Sequence, residues 1–257
     1  MTGRSSLDVA PQDNTRPDMT RLGMLTPSSN TMLEPVTAAM LAGLPDVTAH
    51  FSRFPVTEIA LTPAALGQFD DTPILRAAEL LAHARVDVIA WNGTSASWIG
   101  FDSDERLCER ITATTGIPAR TTVLAYRALF RRLGIGRVGL VTPYTQDVQS
   151  RIRDNWGRSG FACVAERHLD LSDNFSFATV APERIAAMVR AVAAEGCDAV
   201  AVVCTNMDGA RGAAALEAEL GLPVLDSVAV TLWACLVAAG VDPARVEGWG
   251  GVFRVTP

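Results

Sequence analysis

The chain contains no lysine: all 22 basic residues are arginine. That absence removes Schiff-base catalysis, a lysine-anchored pyridoxal phosphate and the lysine of a phosphate-binding P-loop together. Histidine is nearly as scarce, with only His50, His83 and His168 scattered through 257 residues. The five cysteines are an odd number and include no C-x-x-C pair, so a zinc site is not expected. A disulfide framework is not expected in a chain of this size, which favours a reducing, cytoplasmic location. No basic block occurs and the net charge is −6. Nucleic acid and membrane surfaces are therefore not expected partners. No apolar run is long enough to span a bilayer. Residues 1–20 are polar, with Pro11 and Pro17, and lack the apolar stretch of a signal peptide. They are expected to form a disordered tail.

What the chain does contain is apolar mass, 49% of its residues, enough for one large or two small domains. The stretch Asp198-Ala-Val-Ala-Val-Val-Cys204-Thr205-Asn206-Met207-Asp208-Gly209 organises the reading. Its small and β-branched run predicts a buried strand of a parallel sheet, followed by a helix over Ala210 to Leu220. Cys204 falls where strand gives way to helix, the place where open α/β sheets put their ligands. The helix start is expected to lower the thiol's pKa toward a thiolate.

The pattern occurs twice. Arg21-Leu-Gly-Met-Leu-Thr26-Pro27-Ser28 is repeated as Arg137-Val-Gly-Leu-Val-Thr142-Pro143-Tyr144. Asp87-Val-Ile-Ala-Trp-Asn-Gly93-Thr94-Ser95 is echoed by the Cys204 stretch, and Thr115-Gly-Ile-Pro118 by Leu220-Gly-Leu-Pro223. Helices over Val123 to Leu133 and Val228 to Ala239 correspond in turn. Further elements are predicted at Val47 to Phe54 and Val86 to Trp91 (strands). Helices are predicted from near Thr31 or Met32 to Leu41, from Pro73 to Ala84 and from Ser103 to Thr115. A duplicated unit implies an α/β fold of two pseudo-symmetric parallel-sheet lobes with the active site in the cleft between them. Gly93 and Cys204 then occupy equivalent strand ends.

Thr26-Pro27-Ser28-Ser29-Asn30-Thr31, Gly93-Thr94-Ser95, Thr142-Pro143-Tyr144 and Cys204 together resemble the Asp/Glu racemase superfamily. Within it, the branch of maleate cis–trans isomerases and arylmalonate decarboxylases is the most similar. The resemblance runs from about Arg21 to Phe253 and implies chemistry without a cofactor. It also implies a C-terminal segment that returns to the first lobe. The expected division is 21–122, completed by 226–257, for one lobe and 123–225 for the other. Racemases and isomerases of this superfamily carry a cysteine at both strand ends, whereas the arylmalonate decarboxylases resemble this chain in having glycine first and cysteine second.

Loss of carbon dioxide from a malonate-type acid leaves an enediolate, which fixed hydrogen-bond donors stabilise. Thr94 and Ser95 offer hydroxyls and backbone N–H groups at a helix start, Tyr144 a phenol and Thr205 a hydroxyl beside the thiol. Leu25, Trp91, Val141 and Val203 are candidates for apolar walls around the leaving carboxylate. Cys204 is the candidate proton donor. The resemblance adds Asn30, and Asn174 in the following lobe, as substrate-binding residues. Asn30, Thr94 and Ser95 have an alternative use as helix caps, and Tyr144 as a packing ring. Cys197 lies beyond the far end of the strand, over about 20 Å from Cys204, and cannot pair with it.

The expected activity is a cofactor-free, decarboxylase-like reaction on a small carboxylic acid. A maleate isomerase-like or an Asp/Glu or hydantoin racemase-related activity is the alternative. A small-acid binding protein is the non-enzymatic one. Substrate identity and any homo-oligomeric state stay open.

Overall fold

The computed structural model describes residues 19–256. The chain begins with β1 (Thr20–Pro27), α1 (Leu33–Leu41), β2 (Val47–Phe54), α2 (Pro63–Gly67), α3 (Asp71–His83) and β3 (Val88–Trp91). It continues with α4 (Ala96–Ile99), α5 (Phe101–Thr115), β4 (Ala119–Thr121) and α6 (Thr122–Leu133). The second half runs β5 (Arg137–Val141), α7 (Gln146–Arg158), β6 (Ala162–Arg167), α8 (Pro182–Ala193) and β7 (Ala199–Val202). It ends with α9 (Ala210–Leu220), β8 (Val224–Asp226), α10 (Ser227–Ala238) and two short 3₁₀ turns. Of the tail expected over 1–20, residues 1–18 lie outside the described residues. Thr20 departs from it, because it pairs with Val47 as the first residue of β1.

Two parallel four-stranded sheets result, ordered β2-β1-β3-β4 and β6-β5-β7-β8. The two orders are the same order, shifted by one repeat. Strands covered by helices on both faces need continuous apolar runs rather than alternation, and β3 and β7 are buried at every residue. The central strands share a glycine for a packing reason. A Cβ on Gly139 would stand 2.2 Å from Val192 Cγ1 and 2.9 Å from Cys197 Sγ, so only glycine lets α8 approach β5 this closely. Cys197 is thereby accounted for as packing.

Several boundaries differ from the sequence expectation by one or two residues, and at two of them side-chain hydrogen bonds supply the reason. α1 starts at Leu33 because the Asn30 carboxamide oxygen accepts the backbone N–H groups of Met32 (3.0 Å) and Leu33 (2.9 Å). β3 starts at Val88 because the Asp87 carboxylate turns aside to accept the Arg21 N–H at 2.7 Å. Gly116 and Gly134 end α5 and α6 with φ of 72° and 66°, the left-handed C-cap that glycine adopts without strain.

The two halves meet through α6 and α10. Ten of the twelve residues of α10 are buried, as a helix apolar on all sides requires. It packs against α6, α1 and strands β3, β4 and β8. Hydroxyls at this contact repeat about the pseudo-twofold. Thr122 donates to Trp91 O (3.3 Å) as Ser227 donates to Val202 O (3.0 Å). Thr122 meets Thr231 at 2.7 Å as Ser227 meets Tyr126 at 3.2 Å.

Candidate active site

Cys204 follows the end of β7 as Gly93 follows the end of β3. Strand pairing puts Trp91 beside Leu25 and Val202 beside Val141, so the two strand ends are equivalent in register as well as in sequence. Hydrogen bonds join the loops that carry the two positions. Thr205 Oγ1 donates to Asn92 O at 3.1 Å. Tyr144 OH, from the second half, lies 2.6 Å from Thr94 Oγ1 in the first. The same phenol is close enough to the Cys204 thiol for each group to shift the other's pKa.

Cys204 is only 2% exposed, yet its sulfur is not surrounded by hydrocarbon. It accepts the Asn206 backbone N–H at 3.4 Å and has the Tyr144 phenol beside it. Burial pushes the thiol's pKa up to about 12, against the smaller opposing pull of the Asn206 N–H and Tyr144. This corrects the expectation of a thiolate. α9 begins only at Ala210, with its N-cap at Gly209, too far along the chain for its dipole to offset desolvation. At neutral pH the sulfur carries its proton. Burial likewise raises the Tyr144 phenol well above its ordinary value, with the Cys204 thiol adding to the effect. Both groups are thus neutral hydrogen-bond donors.

The structure gathers Asn30, Gly93, Thr94, Tyr144, Cys204 and Thr205 where these loops meet. Asn30 has two uses at once: its oxygen caps α1, and its Nδ2 donates to Thr205 Oγ1 at 3.1 Å. Ser95 precedes α4 without capping it through its side chain, and Thr94 spends its hydroxyl on Tyr144. Asn174 sits one layer out. Its Nδ2 donates to Ser29 Oγ at 2.7 Å, its N–H to Thr57 O at 3.0 Å, and its carbonyl accepts Asn206 Nδ2 at 2.6 Å. The proposed walls Leu25, Trp91, Val141 and Val203 are all buried. Tyr144 packs edge-on against Trp98 and Phe177, with ring centroids 5.3 and 5.6 Å away. All these residues are buried.

Several contributors were not singled out from the sequence. Asn206 Oδ1 accepts the N–H groups of Thr31 (2.9 Å) and Met32 (3.2 Å), tying the thiol's loop to the start of α1. Its place opposite Ser95 in the repeat was the available signal. Arg53 holds the Ser28 and Asn30 carbonyls, each at 2.9 Å. Asp226, beneath the site, caps α10 with Oδ1 while its buried Oδ2 has no partner. Burial raises its pKa to about 7. Among the described residues, no group of three or more His, Cys, Asp or Glu side chains is placed to hold a metal ion. No helix among them is long and apolar enough to cross a membrane.

A surface hollow of about 900 Å³, lined by Glu217, Glu247 and Arg254 among others, lies away from the thiol. It contains none of the repeated strand-end groups, so size alone does not mark the site.

Residues 22–253 match the arylmalonate decarboxylase family. The maleate isomerase of Pseudomonas putida is 26% identical over 245 residues, covering 91% of this chain and 96% of that protein. The arylmalonate decarboxylase of Bordetella bronchiseptica is 27% identical over 169 residues, 65% of this chain and 70% of its own. Among solved structures, a cysteine-to-alanine variant of the maleate isomerase Iso from Pseudomonas putida S16, with maleate, aligns with a TM-score of 0.85. Its identity is 27%, and the alignment covers 93% of this chain and 98% of that one.

Proposed function

This chain belongs to the arylmalonate decarboxylase family, and from that premise we propose that it removes carbon dioxide from a small substituted malonate, with Cys204 protonating the carbon left behind. The observation that carries the reading is the asymmetry of the two strand ends. One holds a thiol that keeps its proton at neutral pH, and the other is Gly93, with no side chain. Two-base racemisation and covalent addition by a second cysteine each need a group that Gly93 does not supply.

The bond from Cα to the departing carboxylate breaks, and its electron pair moves into the remaining carboxylate as an enediolate. Thr94 and Tyr144, already 2.6 Å apart, turn their hydroxyls toward those oxygens, where fixed donors act most strongly in a water-poor site. The departing carboxylate faces apolar side chains, which favours its leaving as a neutral gas. The Cys204 S–H then gives its proton to Cα from one face, and the resulting thiolate recovers a proton from water.

An isomerase of the maleate type is the second reading, favoured by Pro27-Ser28-Ser29-Asn30-Thr31 and by the extent of the match to the Pseudomonas putida enzyme. The test is to incubate the protein separately with phenylmalonate and with maleate. Carbon dioxide from phenylmalonate, without fumarate from maleate, supports the decarboxylase. Fumarate without carbon dioxide sinks it in favour of the isomerase. Saturable binding of either acid without turnover marks a binding protein instead.

A further inference from the structure

Position 93 has no side chain, and the space a side chain would need is already occupied. A Cβ built on Gly93 would lie 1.9 Å from Cζ2 of Trp91, 2.3 Å from its Cε2 and 2.4 Å from its Cη2. Carbon atoms in contact sit about 3.5–4.0 Å apart, so the two cannot coexist without moving the ring. The ring is not free to move. Trp91 is 1% exposed and packs on Phe54 with centroids 5.0 Å apart.

The second half of the chain answers the same geometry differently. Trp91 ends β3 and Val202 ends β7, at matching places in the two strand registers. Val202 is small, and two residues later Cys204 has room for its thiol. Trp91 is large, and two residues later only glycine fits. The ring's location relative to the chemistry follows from Gly93's neighbours. Asn92 O receives the hydroxyl of Thr205, the residue after Cys204, and Thr94 meets the Tyr144 phenol at 2.6 Å.

We propose that Trp91 is a specificity-determining residue that keeps the site one-sided. Its indole fills the place of a second acid–base group, leaving Cys204 as the sole proton donor. Glycine at 93 is then a consequence of tryptophan at 91, and a cysteine installed at 93 acts only once the indole is cut back. The catalytic half of this inference rests on the decarboxylase reading, whereas the steric half does not.

The experiment is a double-variant cycle on the full chain: Gly93→Cys, Trp91→Leu, and the two combined. Thermal unfolding reads the steric half. Gly93→Cys is expected to lower Tm by several degrees, and Trp91→Leu to recover most of that loss when added to it. Should Gly93→Cys fail to fold, Gly93→Ala, which carries the Cβ alone, takes its place in the cycle. The catalytic half is read by deuterium exchange at Cα and loss of optical purity of enantiopure 2-phenylpropanoate in deuterated water. The combined variant is expected to racemise it at least tenfold faster than Gly93→Cys alone. Tm losses that simply add, or a single Gly93→Cys variant that is as stable as wild type and racemises as fast as the combined one, overturn the proposal. Recovered Tm in a protein that releases no carbon dioxide from phenylmalonate in any form upholds the steric role and removes the decarboxylase reading instead.

Discussion

The hydroxyl of Tyr144 stands 2.6 Å from Oγ1 of Thr94, joining the loop after β5 to the loop after β3. Each residue comes from one half of the duplicated chain, so neither half alone presents the pair. Removing either hydroxyl takes away one donor to a developing enediolate. Tyr144→Phe and Thr94→Val are each expected to lower kcat/KM on phenylmalonate by about 10²-fold or more, the size of effect seen when one oxyanion donor is lost. The double variant is expected to lose less than the product of the two, because each hydroxyl orients the other. Steady-state kinetics of the four proteins reads this. Unchanged kcat/KM in Tyr144→Phe removes Tyr144 from the site.

The Cys204 thiol, with its pKa pushed up to about 12, is expected to stay protonated through pH 9. Its ultraviolet thiolate absorbance, taken as wild type minus Cys204→Ser, should be absent below that pH. Native protein should accordingly lose no activity to iodoacetamide at pH 7 and become sensitive only as pH rises well above 9. Alkylation of Cys204 at pH 7 as fast as free cysteine contradicts a buried, proton-bearing sulfur.

Asp104 and Asp226 are buried, and desolvation raises each from 3.8 to about 7. A carboxyl whose folded pKa lies above its unfolded one stabilises the fold when protonated. That contribution is complete below about pH 4 and is lost as pH rises through about 7. The amount is on the order of a few kcal/mol for each group, since one pH unit corresponds to about 1.4 kcal/mol. Asp226→Asn keeps an oxygen to cap α10 but cannot ionise. Denaturant unfolding between pH 5 and 8 should therefore show a smaller fall in stability for Asp226→Asn than for wild type. Equal slopes contradict a raised pKa at Asp226.

Asn206 ties the thiol's loop to the first half through Thr31, Met32 and the Asn174 carbonyl. Asn206→Ala takes the buried Asn174 carbonyl's donor and the Thr31 N–H's acceptor, while the Met32 N–H keeps Asn30 Oδ1, so a loss of about 1–3 kcal/mol is expected. Urea unfolding measures it. A change under about 0.5 kcal/mol, the range of ordinary surface substitutions, contradicts the tie.

Much of this architecture is legible in the sequence, for identifiable reasons. Val47–Phe54 and Ala210–Leu220 were bounded correctly because turn residues flank them on both sides. The repeat makes Gly93 and Cys204 equivalent, and the strand registers agree with it. α7 went unassigned, although Val148, Ile152 and Trp156 recur at helical spacing and are buried. The thiol's protonation was misjudged because chain order shows a helix ahead but not the burial that outweighs it. Asn206 was passed over because its partners at Thr31, Met32 and Asn174 are distant in sequence. Trp91 was legible as a wall candidate. That its ring lies over Gly93 depends on a side-chain direction no sequence pattern carries.

One measurement bears on the whole account: release of carbon dioxide from 2-methyl-2-phenylmalonate by wild type and by Cys204→Ala, with the product's enantiomers resolved. Wild type is expected to yield a single enantiomer of 2-phenylpropanoate. Cys204→Ala should be slower by about 10²–10⁴-fold, the contribution of a positioned acid. Undiminished release by Cys204→Ala, or a racemic product from wild type, contradicts protonation by this sulfur.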